Sequence, residues 1–358
     1  MSFESSKTLI RPDIQALGAY QVADAANMLK LDAMENPYSL PAGLKKKWAA
    51  VLAAPEVNRY PDPRAPEVKK RLRTVMNIPD EYDILLGNGS DELIQMICLA
   101  IASPERVVMS PEPSFVMYSM LAGITGMRYQ AVVLRSDFTL DLPAMLDALK
   151  KHSPALLFLA QPNNPTGNLF PVEQVRTLVK NAPGLVVIDE AYTPFCDSDY
   201  LGLMSEFENV LIMRTFSKVG LAGLRLGFLI GRPDWLAEFD KVRLPYNINS
   251  LTQAGAAFAL EHFDAFREQA ALIRADRKEL LQALQEVPGL EVFPSEANFV
   301  LVRTFGIDAS RVYAELTMRG ILVKCLDRAH PLLRNCLRIT VGTPEENSRC
   351  AAALREIL

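Results

Sequence analysis

A lysine seldom follows directly on a buried strand. The segment Thr215-Phe216-Ser217-Lys218-Val219-Gly220-Leu221-Ala222-Gly223-Leu224-Arg225 places one there, with hydroxyl residues beside it and an arginine seven positions on. An ε-amine that is desolvated and close to other cations loses its proton near neutrality and becomes a nucleophile and base, which an arginine at the same place could not do. Three further segments carry polar groups where apolar runs end. Val186-Val187-Ile188-Asp189-Glu190-Ala191-Tyr192 terminates in a carboxylate, which needs a strong partner because an unpaired buried charge is expensive. Pro162-Asn163-Asn164-Pro165-Thr166-Gly167 holds the backbone in one turn and aims an amide outward; a plain turn explains its Pro and Gly but not the paired Asn. Gly87-Asn88-Gly89-Ser90-Asp91-Glu92 permits a sharp turn into a helix whose first N–H groups suit a phosphate. Alone, that loop reads equally well as a capped turn, and the dinucleotide pattern G-x-G-x-x-G fails at Glu92. The Asp189 string also resembles the acidic strand end of nucleotide hydrolases, but the chain contains no Gly-Lys pair and hence no phosphate loop of that kind.

The elements that must position these residues follow from periodicity. From about Glu81 to Gly231, short apolar runs at Ile84 to Leu86, Arg106 to Met109, Ala155 to Leu159, Leu185 to Ile188, Val210 to Thr215 and Leu226 to Ile230 alternate with helical segments. The helices are expected at Glu92 to Ala102, Asp141 to Lys150 and Pro171 to Asn181. This is the pattern of an α/β domain, a mostly parallel sheet sandwiched by helices, in which ligands sit beyond the carboxyl ends of the strands. After Pro245 a long helical stretch, Leu251 to Val287, precedes alternating runs at Phe299 to Arg303 and Leu337 to Val341, which predicts a smaller α+β domain. The expected division is an arm over residues 1–45 packing on the small domain, a large domain over 46–250 and a small domain over 251–358.

Taken together, the four strand ends offer an amine, an acid, hydrogen-bond donors and a phosphate seat. Pyridoxal 5'-phosphate requires that set. The sequence resembles the fold-type I aminotransferases, and among them the histidinol-phosphate aminotransferases. The resemblance runs through Tyr20-Gln21, Asn58-Arg59-Tyr60-Pro61, the glycine loop, Pro162 to Gly167, Asp189 to Tyr192, Ser217-Lys218, Gly223-Leu224-Arg225 and Leu337-Arg338-Ile339-Thr340-Val341-Gly342.

What it implies can be carried over residue by residue. Lys218 would bind the cofactor covalently and then move the proton at the substrate's Cα, and Asp189 would keep the pyridine nitrogen protonated. Tyr192 and Asn164 would donate to the ring oxygen and Phe115 would stack on the ring. Ser90, Asp91, Thr215, Ser217 and Arg225 would hold the phosphate, with Tyr60 arriving from the second subunit of a homodimer. Arg338, aided by Tyr20 and Lys324, would grip the substrate's anion. Arg225 follows Lys218 by one residue fewer than in many relatives, and about one extra residue separates Lys324 from Arg338. The implied reaction converts L-histidinol phosphate and 2-oxoglutarate to imidazole acetol phosphate and L-glutamate in histidine biosynthesis. The same cofactor site would serve an aromatic amino-acid aminotransferase, a phospho-amino-acid decarboxylase or, outside enzymes, a ligand-sensing protein.

Composition sets the remaining expectations. The 358 residues carry a net charge of −4, which gives no long-range attraction to nucleic acid or acidic membranes. The basic runs Lys45 to Lys47 and Lys69 to Arg73 read as solvated helix faces. Five cysteines without a C-x-x-C pair, and three histidines without ligand spacing, indicate neither a disulfide framework nor a metal site. Reduced thiols, no export signal and no membrane span together predict a cytoplasmic protein.

Overall fold

The computed structural model describes residues 6–19 and 23–358; Tyr20 lies outside them. Among the described residues, twelve strands form two sheets. In chain order they are β1 (Leu29–Leu31), β2 (Asp83–Gly87), β3 (Val107–Glu112), β4 (Arg128–Val133), β5 (Leu156–Ala160) and β6 (Leu185–Asp189). The others are β7 (Val210–Thr215), β8 (Gly227–Gly231), β9 (Leu290–Val292), β10 (Phe299–Thr304), β11 (Ile321–Cys325) and β12 (Cys336–Thr340). The larger sheet has the order β2-β8-β7-β6-β5-β3-β4, and only β8 runs against its neighbours. Strands β5, β6 and β7 are buried along their whole length, as continuous apolar runs require when helices cover both faces. Strand order reverses between β3 and β5, which opens a crevice at their carboxyl ends.

The structure adds elements the sequence pattern does not predict, strands β1, β4, β9 and β11 among them, and divides one that it does. Strand β4 was not foreseen: it is an edge strand, and Arg128-Tyr129-Gln130 breaks the apolar run. The long helical stretch is two helices, Ser250–Glu261 and Phe263–Gln285, separated at His262. The first packs on the helices Ala42–Ala53 and Pro66–Val75, the second on the C-terminal helix Pro344–Ile357. Each half therefore buries its own face against a different layer, which a single helical period conceals. The two basic runs do lie on helices, Ala42–Ala53 and Pro66–Val75.

The smaller sheet has the order β1-β11-β12-β10-β9. β1 pairs parallel to β11, Leu29 opposite Ile321, so the N-terminal segment belongs to the sheet formed by the C-terminal one. Lys324 on β11 stands opposite Arg338 on β12 in the antiparallel register. No helix among the described residues is long and apolar enough to cross a membrane.

Two glycines bring the glycine loop against the sheet. A Cβ on Gly227 would lie 2.7 Å from the backbone of Gly89 and Ser90, and one on Gly89 would lie 2.6 Å from the Arg225 guanidinium. Gly227→Ala is therefore expected to cost about 1–3 kcal/mol of stability through overpacking, read as a lower urea midpoint at unchanged slope.

Candidate active site

Ten of the eleven expected cofactor residues line one cavity of about 240 Å³ at the carboxyl ends of β3 and β5 to β7: Ser90, Asp91, Phe115, Asn164, Asp189, Tyr192, Thr215, Ser217, Lys218 and Arg225. The eleventh, Tyr60, is 80% exposed and stacks on Tyr246 with ring centroids 4.4 Å apart.

Lys218 sits in one wide helical turn, Ser217–Leu221, directly after β7. Its Nζ donates to the Ala33 carbonyl at 3.3 Å and stands 5.9 Å from the centre of the Tyr192 ring. Burial, and next the positive charge of Arg338, push its ammonium down to about 8, while Asp91 and Glu35 pull it back up.

Strand alternation separates the two carboxylates at the end of β6. Asp189 faces the cavity, its Oδ2 accepting from Tyr118 Oη at 2.7 Å and its Oδ1 from the Ala191 N–H at 3.1 Å. Burial raises its carboxyl to about 6, opposed by the Tyr118 hydrogen bond. Glu190 points the other way and is consumed by Arg214 Nε at 2.7 Å and the Tyr200 N–H at 2.7 Å. Tyr118 was not singled out in the sequence. It is fully buried, stacked on Phe158 and edge-on to Phe115, and its only sequence signal is a position three residues after Phe115.

The two asparagines of the Pro-Asn-Asn-Pro turn divide their work. Asn163 is entirely buried and braces the turn, donating to the Pro113 carbonyl and Thr166 Oγ1. Asn164 faces the cavity, donating to Tyr192 Oη at 3.1 Å and accepting from Arg338 Nη1 at 2.5 Å. Arg338 also donates to the Asp32 carbonyl at 2.9 Å and lies 5.3 Å from the centre of the Phe299 ring. A chain of contacts thus connects the phenol of Tyr192 to the cation on the smaller sheet.

The residues fit pyridoxal phosphate. The first turn of the twelve-residue helix Ser90–Ile101 opens onto the cavity, and Arg225, in a left-handed conformation, lies against Gly89 where any Cβ would collide. That leaves backbone N–H groups and a guanidinium for a phosphate. Thr215 Oγ1 lies 3.0 Å from Ser217 Oγ and accepts from the Ser217 N–H at 3.2 Å, so Thr215 orients the hydroxyl beside it. Among the described residues, no cluster of three or more His, Cys, Asp or Glu side chains is arranged to hold a metal ion.

A second chamber, of about 330 Å³, shares Met34, Phe115 and Asn164 with the first and adds Glu112, Lys324, His330 and Arg338. Lys324 and Arg338 thus come together where the sequence placed them apart. Glu112 and His330 carried no sequence signal for this site.

The comparisons with known proteins agree with this geometry. The model of the family "Aminotransferase class I and II" matches residues 26–354. "Histidinol-phosphate aminotransferase 2" of Nitrosococcus oceani is 51% identical over 97% of this chain and 96% of its own length. "Histidinol-phosphate aminotransferase" of Chromobacterium violaceum is 50% identical over 97% of each chain. The crystal structure of histidinol-phosphate aminotransferase from Sinorhizobium meliloti in complex with pyridoxal-5'-phosphate superposes with a TM-score of 0.86 at 26% identity, covering 98% of this chain and 97% of that one. On the matching family model and these near full-length likenesses, the chain belongs to the class I and II aminotransferase family.

Proposed function

We propose that this chain is a pyridoxal-phosphate-dependent transaminase that transfers the amino group of L-histidinol phosphate to 2-oxoglutarate, giving imidazole acetol phosphate and L-glutamate in histidine biosynthesis. The observation that carries this reading is the pairing of Lys324 with Arg338 in a chamber that adjoins the Lys218 cavity. Two neighbouring cations suit a doubly charged phosphate, and Arg338 alone suits the carboxylate of glutamate in the return half of the reaction.

Bound pyridoxal phosphate supplies an aldehyde that carries the amino group and a ring that takes up the electron pair released at the substrate's Cα. The chain's own residues do the rest. Lys218 is the base: with its ammonium near 8, on the order of a tenth is neutral at pH 7 and able to accept the Cα proton. Asp189, ionised above about 6 and held by Tyr118 and the Ala191 N–H, presents a fixed negative charge to a protonated ring nitrogen. Tyr192 and Asn164 supply donors on the ring's oxygen side. The Ser90 and Asp91 N–H groups, Ser217 and Arg225 hold the phosphate, and Phe115 covers the ring.

The working form in this proposal is a cytoplasmic homodimer divided as 1–45, 46–250 and 251–358, with Tyr20 helping Arg338 bind the substrate and Tyr60 reaching the partner's cofactor. Exposed Val57, Tyr60 and Leu244 support the dimer, and five free cysteines support a reducing compartment.

Turnover decides the substrate. With glutamate formation as the readout, kcat/KM is expected to be at least tenfold higher for histidinol phosphate than for phenylalanine, and the reverse order would overturn the reading. Lys218→Arg is expected to abolish turnover. In the cofactor-free protein, peptide-resolved acetylation of Lys218 is expected to titrate near pH 8. Arg338→Leu removes the nearby positive charge that favours the neutral amine, so the midpoint should move up; an unmoved midpoint would show that Arg338 does not tune the amine.

A further inference from the structure

The chamber beside Lys218 holds a charge that binding a phosphate does not call for. Its cations, Lys324 and Arg338, come from the smaller sheet, while Glu112 enters from the larger one as the last residue of β3. A carboxylate in a space that must accept a phosphate repels it, and in a half-buried chamber that repulsion is weakly screened. Glu112 is nevertheless fixed in place. Its carbonyl accepts the Leu134 N–H at 2.7 Å, and its Oε1 accepts from Tyr129 Oη at 2.8 Å. Tyr129 is itself tied to the fully buried Ser110 hydroxyl at 2.5 Å. Among the described residues Glu112 makes no ion pair, and its Oε2 makes no hydrogen bond. His330, in the same chamber, accepts the Leu332 N–H on Nδ1; burial lowers the proton affinity of its imidazole, opposed by the Glu112 charge, and it makes no ion pair with that carboxylate among the described residues.

We propose that Glu112 is the specificity residue that accepts the ring N–H of a basic nitrogen heterocycle on the substrate. This assignment rests on the function proposed above. The chamber then carries both signs of charge: cations for the phosphate and a braced carboxylate for the imidazole. Phe115, Pro113, Leu326 and Leu333 supply apolar surface for a flat ring between them. Tyr129 acts as a positioning residue that keeps one carboxylate oxygen occupied and the other directed to the ligand.

The test compares two amines with the holoenzyme: histidinol phosphate, and 2-aminopropyl phosphate, which keeps the amine and phosphate but lacks the ring. Glu112→Gln preserves shape and removes the charge. It is expected to lower kcat/KM for histidinol phosphate at least tenfold, mainly through KM, while kcat/KM for the ringless amine stays within twofold or rises. Tyr129→Phe should give the same selective pattern with a smaller loss, about twofold to fivefold. Equal losses on both amines would mean that Glu112 only braces the strand end, and no loss on either would mean that it does not meet the ring; both results overturn the assignment. A wild-type enzyme inert toward histidinol phosphate would overturn the functional reading, and this assignment with it. An active wild type with an unselective Glu112→Gln overturns this assignment alone.

Discussion

A half-buried ammonium set among other charged groups is the constraint around which this molecule is arranged. Lys218 emerges from a strand buried on both faces, and among the described residues a single carbonyl, that of Ala33, accepts from its Nζ. In that setting the charged form is penalised by desolvation, and Arg338 adds to the penalty while Asp91 and Glu35 offset part of it. The balance leaves an amine that exchanges its proton near neutrality. Burial is the larger of the two lowering effects, and Arg338, on the smaller sheet, acts in the same direction. The proton affinity of the base therefore depends on how the smaller sheet docks on the larger one.

The same dependence runs through Asn164. Its amide is one link wide, with the Tyr192 phenol on one side and the Arg338 guanidinium on the other. An anion that engages Arg338 competes for the proton donor that Asn164 accepts, and so changes what Asn164 offers Tyr192. Under the proposed function, an anion bound at Arg338 would thereby be felt at the Tyr192 phenol, because a polar network in low dielectric transmits a change in one bond to the next.

What could be read from the chain without coordinates was whatever a local backbone demands. A glycine loop before a helix, a doubly prolyl turn and a lysine after an apolar run each impose their geometry within a few residues, and their strand ends converge because a mostly parallel sheet aligns its carboxyl ends. Distinctions that depend on pairing over distance were not legible. Asn163 and Asn164 are the same residue type side by side, and only the direction of the backbone makes one a brace and turns the other into the cavity. Tyr118 looks like any core aromatic on an amphipathic helix until its hydroxyl is seen 2.7 Å from Asp189. Strand β4 was lost because an edge strand tolerates the polar residues that mask its pattern, and the break at His262 because two helices with separate partners share one period.

Edge strand β4 also explains why the site is more than a cofactor cradle. Its Tyr129 does not line the Lys218 cavity; it reaches across to β3 and restrains Glu112, with Ser110 behind it. Restraining a carboxylate costs side-chain entropy and places a negative charge near the residues that must attract an anion. A structure that merely needed to end a strand would be served as well by a neutral side chain. The cofactor machinery is general to transaminases, so selectivity has to come from groups around the chamber that oppose some ligands as well as attract others. A carboxylate held rigidly within that chamber discriminates in both senses: it repels molecules that are anionic throughout and favours those whose far end carries an N–H.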